Sequence, residues 1–235
     1  MKNRKMILVV VILAAVVTLT YAQQYNPESD FNVVRTQDGN SVIITGYTGT
    51  SQTVNIPPRI RNLPVTVIAE NVFARKQLIS VTIPSSVATI GSGAFRGNQL
   101  TSVTIPNSVT TIGSGAFDEN QLTRVIIPDS ITRIEDEVFC CNQLTSVIIP
   151  NSVTAIGSAA FHNNQLTSVT IPNNVIIRDR AFVGNPLTSI TIGNNVSISG
   201  TFDRVFDSGF TSFYNSIGKK AGTYVYDGRS WSEEW

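Results

Sequence analysis

Charge, histidine, cysteine and long apolar runs are all scarce in this chain, and each shortage closes a route. Of 235 residues 14% are charged, and 17 Lys and Arg face 16 Asp and Glu, a formal net charge of +1. Nucleic-acid binding draws its affinity from a basic stripe set along phosphates. That balance supplies no stripe, so no nucleic-acid partner is expected, and a polybasic membrane patch is excluded with it. The single histidine, His162, has no second imidazole with which to make a metal pair. Serines are abundant, but no base is dedicated to any of them, and the chain reads as non-catalytic.

The only cysteines, Cys140 and Cys141, are adjacent. A disulfide framework needs spaced, paired cysteines, and a bridge between neighbours is strained because their side chains diverge. Two thiols, free or variably oxidised, are the expectation, and they do not staple the fold. Disorder is excluded by the 42% apolar share.

The one long apolar run stands at the start. Lys2, Arg4 and Lys5 precede the unbroken apolar stretch Met6 to Val17, and Thr20-Tyr21-Ala22 offers a small residue before Gln23-Gln24. This layout predicts a cleaved signal peptide over 1–22 and an exported mature chain. The run is short beside the roughly 20 residues of a membrane helix. Later apolar stretches are shorter still, so no membrane span is expected after cleavage.

What the chain has in quantity is repetition. Leucines fall at Leu78, Leu100, Leu122, Leu144 and Leu166, always 22 apart, and Leu187 follows after 21. Phenylalanines keep the same beat at Phe73, Phe95, Phe117, Phe139, Phe161 and Phe182, and prolines at Pro84, Pro106, Pro128, Pro150 and Pro172. Within a unit, Val103 and Ile105 alternate with Ser102 and Thr104, the period of a strand with one buried face. Pro106 lacks an N–H and ends the ladder. Val109 and Ile112 form a second inward stretch, and Ala116-Phe117 plugs the turn. Gly113 and Gly115 permit the bends between them.

One such unit cannot cover the cost of ordering its own backbone. The units must therefore stack as parallel strands about 4.8 Å apart, making a solenoid. Asn98, Asn120, Asn142, Asn164 and Asn185 would then form a column whose amides bond backbone groups at the turn.

The pattern Leu-x-x-Val-x-Ile-Pro-x-x-Val-x-x-Ile-Gly-x-x-Ala-Phe, as in Leu100 to Phe117, resembles the BspA-like leucine-rich repeats of bacterial surface proteins. The resemblance covers about Val54 to Ile192. It implies an α/β leucine-rich-repeat-like solenoid, mostly β, in a secreted or surface interaction protein; some relatives adhere to host matrix proteins or cells. The expected organisation is a signal peptide over 1–22, an N-terminal cap over 23–53, the solenoid over 54–192 and a C-terminal cap over 193–235.

A stack of parallel turns exposes an edge and an apolar face at each end, and both need cover. Phe31 to Thr45 alternates around Asp38-Gly39, a strong hairpin signal. After the last repeat, Phe202, Phe206, Phe210, Phe213 and Tyr214 predict a short amphipathic helix. A second hairpin is expected around Asp227-Gly228, flanked by Tyr224, Tyr226 and Trp231. An alternative use of the aromatic terminus, with Trp231 and Trp235, is contact with a partner or the envelope.

Candidate chemistry is sparse. His162 occupies the turn position held by Arg96, Asp118 and Cys140 in other units, a variability that predicts a solvated tip. Asp118, Glu119, Asp136 and Glu137 read as a solvated acidic edge rather than a calcium site. The glycines recur with the repeat, so no phosphate loop is implied. No cofactor and no metal are expected.

The outward strand positions form two columns: Ser80, Ser102, Arg124, Ser146, Ser168 and Ser189 in one, and Thr82, Thr104, Ile126, Ile148, Thr170 and Thr191 in the other. Ile126 and Ile148 break this Ser/Thr face on neighbouring strands, with Arg124 beside them, and a contiguous exposed apolar pair points to contact. The candidate binding residues are Arg124, Ile126, Ser146, Ile148, Ser102, Thr104, Ser168 and Thr170, and the expected partner is a protein. The alternative is an envelope or periplasmic assembly component without a host ligand. The unit Gln121 to Asn142 is the odd one, carrying Asp129, Arg133, Glu135, Asp136 and Glu137 where the unit before it has Asn107, Thr111, Gly113, Ser114 and Gly115.

Overall fold

In the computed structural model, residues 24–198, 206 and 209–234 are described. The expected signal peptide, Phe202 and Trp235 lie outside the described residues. The chain enters through a hairpin, β1 (Phe31–Arg35) and β2 (Val42–Tyr47), turning at Asp38-Gly39 as the spacing predicts. Next come β3 (Thr53–Asn55), β4 (Arg59–Ile60) and β5 (Leu63–Ile68). From there each turn contributes a longer and a shorter strand: β6 (Ser80–Thr82) and β7 (Thr89–Ile90), β8 (Ser102–Thr104) and β9 (Thr111–Ile112), β10 (Arg124–Ile126) and β11 (Arg133–Ile134). The series continues with β12 (Ser146–Ile148) and β13 (Ala155–Ile156), β14 (Ser168–Ile171) and β15 (Ile176–Ile177), and β16 (Ser189–Ile192) and β17 (Ser197–Ile198). Helix α1 (Phe210–Ser216) and a hairpin of β18 (Gly222–Tyr226) and β19 (Trp231–Glu233) complete the order.

The result is a three-sided, mostly-β solenoid of about seven stacked turns. The longer strands line one side, pairing in parallel as β3 with β6, β10 with both β8 and β12, and β14 with β16. A second side is lined by β2, β5 and then the shorter strands, running β2-β5-β7-β9 and β11-β13-β15-β17. The third side is a column of turns held by backbone bonds, in which the N–H of Phe73, Phe95 and Phe117 donates to the carbonyl of Ala94, Ala116 and Val138 of the next turn (2.8, 2.8 and 3.0 Å). Every side therefore hands its donors to a neighbouring turn. That cooperation makes a unit stable only in a stack.

The core follows the beat. Leu78, Leu100, Leu122, Leu144 and Leu166 are wholly buried. The phenylalanines stack ring on ring from Phe73 to Phe182, with centroids 5.1 to 5.8 Å apart and planes within 18°. The asparagine column is buried and bonded as expected. The Asn98 side chain donates to Phe73 O and Phe95 O at 2.8 Å each, and its Oδ1 accepts from the Leu78 N–H at 2.9 Å. The shortened unit loses its residue between Val175 and Ile177, which stand 22 and 21 residues after Val153 and Ile156; the short strand absorbs the gap and Ala155 still pairs with Ile176.

Both ends are covered. Tyr47 packs on Phe73 at 5.2 Å and on Phe31 at 5.5 Å, closing the ring column at its start. At the far end β18 pairs antiparallel with β16, so the last long strand keeps no bare edge on that side. The predicted aromatic helix is corrected in extent. It begins only at Phe210, whereas Phe206 stacks on Phe182 at 5.2 Å and 3° as one more rung of the ring column. Its place there is set by packing rather than by helical period. The antiparallel pair of β4 and β5 is an addition to the expected elements; Arg61 and Asn62, at φ 52° and 62°, form its two-residue turn.

Candidate functional site

The longer strands alternate strictly, and the structure places all eight sequence-predicted residues on one open face. Ser102, Thr104, Arg124, Ile126, Ser146, Ile148, Ser168 and Thr170 are exposed, while the residues between them point inward. Register brings Ile126 directly opposite Ile148, and Arg124 opposite both Ser102 and Ser146. Ser168 and Thr170 lie on β14, which flanks β12. Ile126 is 62% and Ile148 81% accessible. Val34, Ile79 and Ile176 are also exposed large apolar side chains among the described residues. Ile126 and Ile148 alone among these five are paired on adjacent strands.

Beside the pair lies a shallow groove of about 270 Å³, lined by Asn107, Ile126, Pro128, Asp129, Ile148 and Pro150. The prolines end their strands, so the chain turns away and leaves this hollow at the corner. The groove adds Asp129, one of the departures of the odd unit, to the candidate surface. The strand alternation could not reveal that residue, because it stands beyond the strand. The site thus presents two aliphatic side chains on a Ser/Thr field, with Arg124 and Asp129 supplying one charge of each sign. It is equipped to bury an apolar side chain and orient polar neighbours.

A second cluster occupies the turn side, and here the expectation of a solvated tip is corrected. Asp118 and Cys140 are buried, and Arg96 and His162 are half-buried. Turns stacked roughly 5 Å apart sandwich each tip side chain between its equivalents above and below. Arg96 Nε lies 3.1 Å from Asp118 Oδ2, and Arg96 Nη2 2.9 Å from Glu119 Oε1. The Arg96 Nε contact is an ion pair without hydrogen-bond alignment, so that nitrogen and Asp118 Oδ1 are both buried without a hydrogen-bond partner. Burial pushes the Asp118 carboxyl above its ordinary range against the opposing pull of Arg96. Burial, then the adjacent Cys141, raises the Cys140 thiol strongly. The two thiols are free, with Sγ atoms 2.8 Å apart. His162 Nδ1 sits 2.8 Å from Val183 O.

The acidic edge is divided rather than convergent. Glu119 and Glu137 are exposed, Asp118 is buried, and Asp136 is half-buried with its Oδ1 accepting the Ser158 N–H at 2.7 Å.

Residues 66–188, over half of the chain, match the BspA type leucine rich repeat region in six copies. Among solved structures the chain is similar to a leucine rich cell surface protein from Faecalibacterium prausnitzii, at 28% identity and a TM-score of 0.55, over 72% of this chain and 54% of that one. The chain therefore spans about half the length of that protein. A leucine-rich repeat protein from Eubacterium ventriosum is 27% identical over 73% of this chain and 44% of that one, with a TM-score of 0.48. The T. pallidum leucine rich repeat protein is 22% identical over 83% of this chain and 97% of that one, with a TM-score of 0.46. No curated protein matches the chain.

Proposed function

The chain belongs to the BspA-type leucine-rich repeat family, and we propose that it is an exported interaction module that binds a protein across its open strand face. The observation that carries this reading is the exposed pair Ile126 and Ile148, in register on adjacent strands and 62% and 81% accessible. Water gains by their burial, and a partner gains a ready apolar anchor between Arg124 and Asp129. The family is a scaffold family rather than an enzymatic one, and the protein is read as non-catalytic. Export rests on the N-terminal signal-peptide pattern over 1–22, the solenoid spanning 54–192 between caps 23–53 and 193–235. No helix among the described residues is long and apolar enough to cross a membrane. The bound class is a host matrix or cell-surface protein.

The test replaces the anchors by what the other turns carry there. Ile126→Thr with Ile148→Thr keeps β-branching and restores the column of Thr104 and Thr170, so thermal stability stays within about 0.5 kcal/mol. Each isoleucine buried in a complex contributes about 1.5 kcal/mol, so loss of both weakens capture of matrix or cell-surface proteins on the order of 100-fold. Unchanged capture by the double variant would remove this face as the binding surface. Protease shaving of intact cells separates display from an envelope role: a surface protein is cleaved and a periplasmic one survives.

A further inference from the structure

We propose that Asp118, Cys140 and Cys141 form a binding site for one thiophilic divalent cation of the Zn²⁺ or Cd²⁺ class, at the turn edge of the solenoid. A carboxylate oxygen of Asp118 and the two sulfurs all lie within 4.8 Å of one another. Stacking builds the cluster, since Asp118 comes from the turn before the cysteines and shares the column of Cys140. Two thiolates and one oxygen are a donor set for a borderline-soft ion, with a fourth tetrahedral position left to water.

A second observation points to a ligand. The Asp118 side chain is 4% accessible, its Oδ2 is engaged by Arg96 at 3.1 Å, and its Oδ1 is buried with no well-aligned donor, the Cys140 thiol being the group beside the carboxylate. A buried oxygen left unpaired costs about 1–3 kcal/mol, and a coordinated cation would satisfy it. Arg96 holds the carboxylate from its other oxygen, as partners around metal ligands do. A divalent ion with two thiolates and one carboxylate sums to −1, and the Arg96 guanidinium, which it shares with Glu119, offsets part of that charge. On binding, each S–H bond gives way to a metal–sulfur bond and two protons leave to solvent.

Access is through Cys141, which is half-exposed. The sulfurs, 2.8 Å apart, must open to about 3.8 Å to share one tetrahedral ion with bonds near 2.3 Å. A side-chain rotation of the less buried Cys141 provides that.

The full chain, reduced and then freed of reductant, is titrated with Cd²⁺ while the ultraviolet cadmium–thiolate charge-transfer band is followed. One ion per chain is expected, with a rise in thermal midpoint as binding favours the folded state. Cys141→Asn tests the sulfur without endangering the fold, because Asn163 holds that place one turn on with φ 52° against 57°. It should abolish both band and midpoint shift. Asp118→Asn should weaken Cd²⁺ at least tenfold, on the order of the loss seen when a supporting group is removed from a metal site, and Ca²⁺ should not compete. Equal Cd²⁺ binding by Cys141→Asn, or an Asp118→Asn titration superposing on that of the parent chain, overturns the three-ligand site.

Discussion

A buried asparagine recurs in five turns because each one closes a gap that the backbone cannot close alone. The Asn142 Nδ2 donates to Phe117 O at 2.9 Å and Phe139 O at 3.3 Å, and its Oδ1 accepts the Leu122 N–H at 2.9 Å. It therefore ties its own turn to the one before it. Alanine at Asn142 strands at least two buried backbone groups at about 1–3 kcal/mol each, so a loss of about 2–6 kcal/mol is expected. Urea unfolding with an unchanged slope measures it, and a loss below about 1 kcal/mol would contradict the role. These asparagines were legible in the sequence from their period. The sequence places the neighbouring Asp118 and Cys140 at a solvated tip, and the structure buries both. A variable column signals weak constraint on side-chain identity, and it carries no information on whether adjacent turns close over the position.

At the scale of elements, the two hairpins finish what the repeats leave open. The turn of β18 and β19 is pinned by Asp227, whose Oδ1 accepts the N–H groups of Arg229 and Ser230 at 2.8 Å each. Those backbone bonds favour the charged form and hold the Asp227 carboxyl below its ordinary value. A depressed folded value means that the stabilisation is full above the unfolded value and is lost as pH falls through the folded one. Acidification through the lower carboxylate range should therefore speed exchange of the Arg229 and Ser230 amides relative to those of β14. Asp227→Ala should show fast exchange at all pH values. If the parent amides exchange independently of pH, corrected for intrinsic rates, Asp227 does not hold the turn. The hairpin itself was readable from Asp227-Gly228, because turn chemistry is local. The start of α1 was not, because aromatic spacing of three and four fits both a helix and a ring that continues a stack.

The whole molecule is a one-dimensional stack, and its stability depends on having ends. Each internal turn meets only its neighbours. Removing one complete unit, 143–164, therefore joins equivalent positions and should leave a folded, shorter solenoid with the same far-ultraviolet signature. Removing 199–235 should instead expose the β16 edge that β18 covers and the Phe182 ring that Phe206 covers. That chain should aggregate, as size-exclusion chromatography would report. A monomeric, soluble truncation would show that the C-terminal segment is dispensable and not a cap.

The amino-acid order alone determined the period, the two inward faces of each turn, the ring and asparagine columns and the two hairpins. All of these rest on contacts at a fixed spacing of one unit or on local turn chemistry. It also determined that Ile126 and Ile148 interrupt the Ser/Thr face. Only the tertiary structure decided that Asp129 borders the hollow beside them, that Phe206 crosses a longer gap to join the ring column, and that Asp118 is buried against Cys140 and Cys141. Those outcomes come from the packing of one turn against the next, where a side chain's surroundings are set by residues a full unit away and by how closely the turns approach.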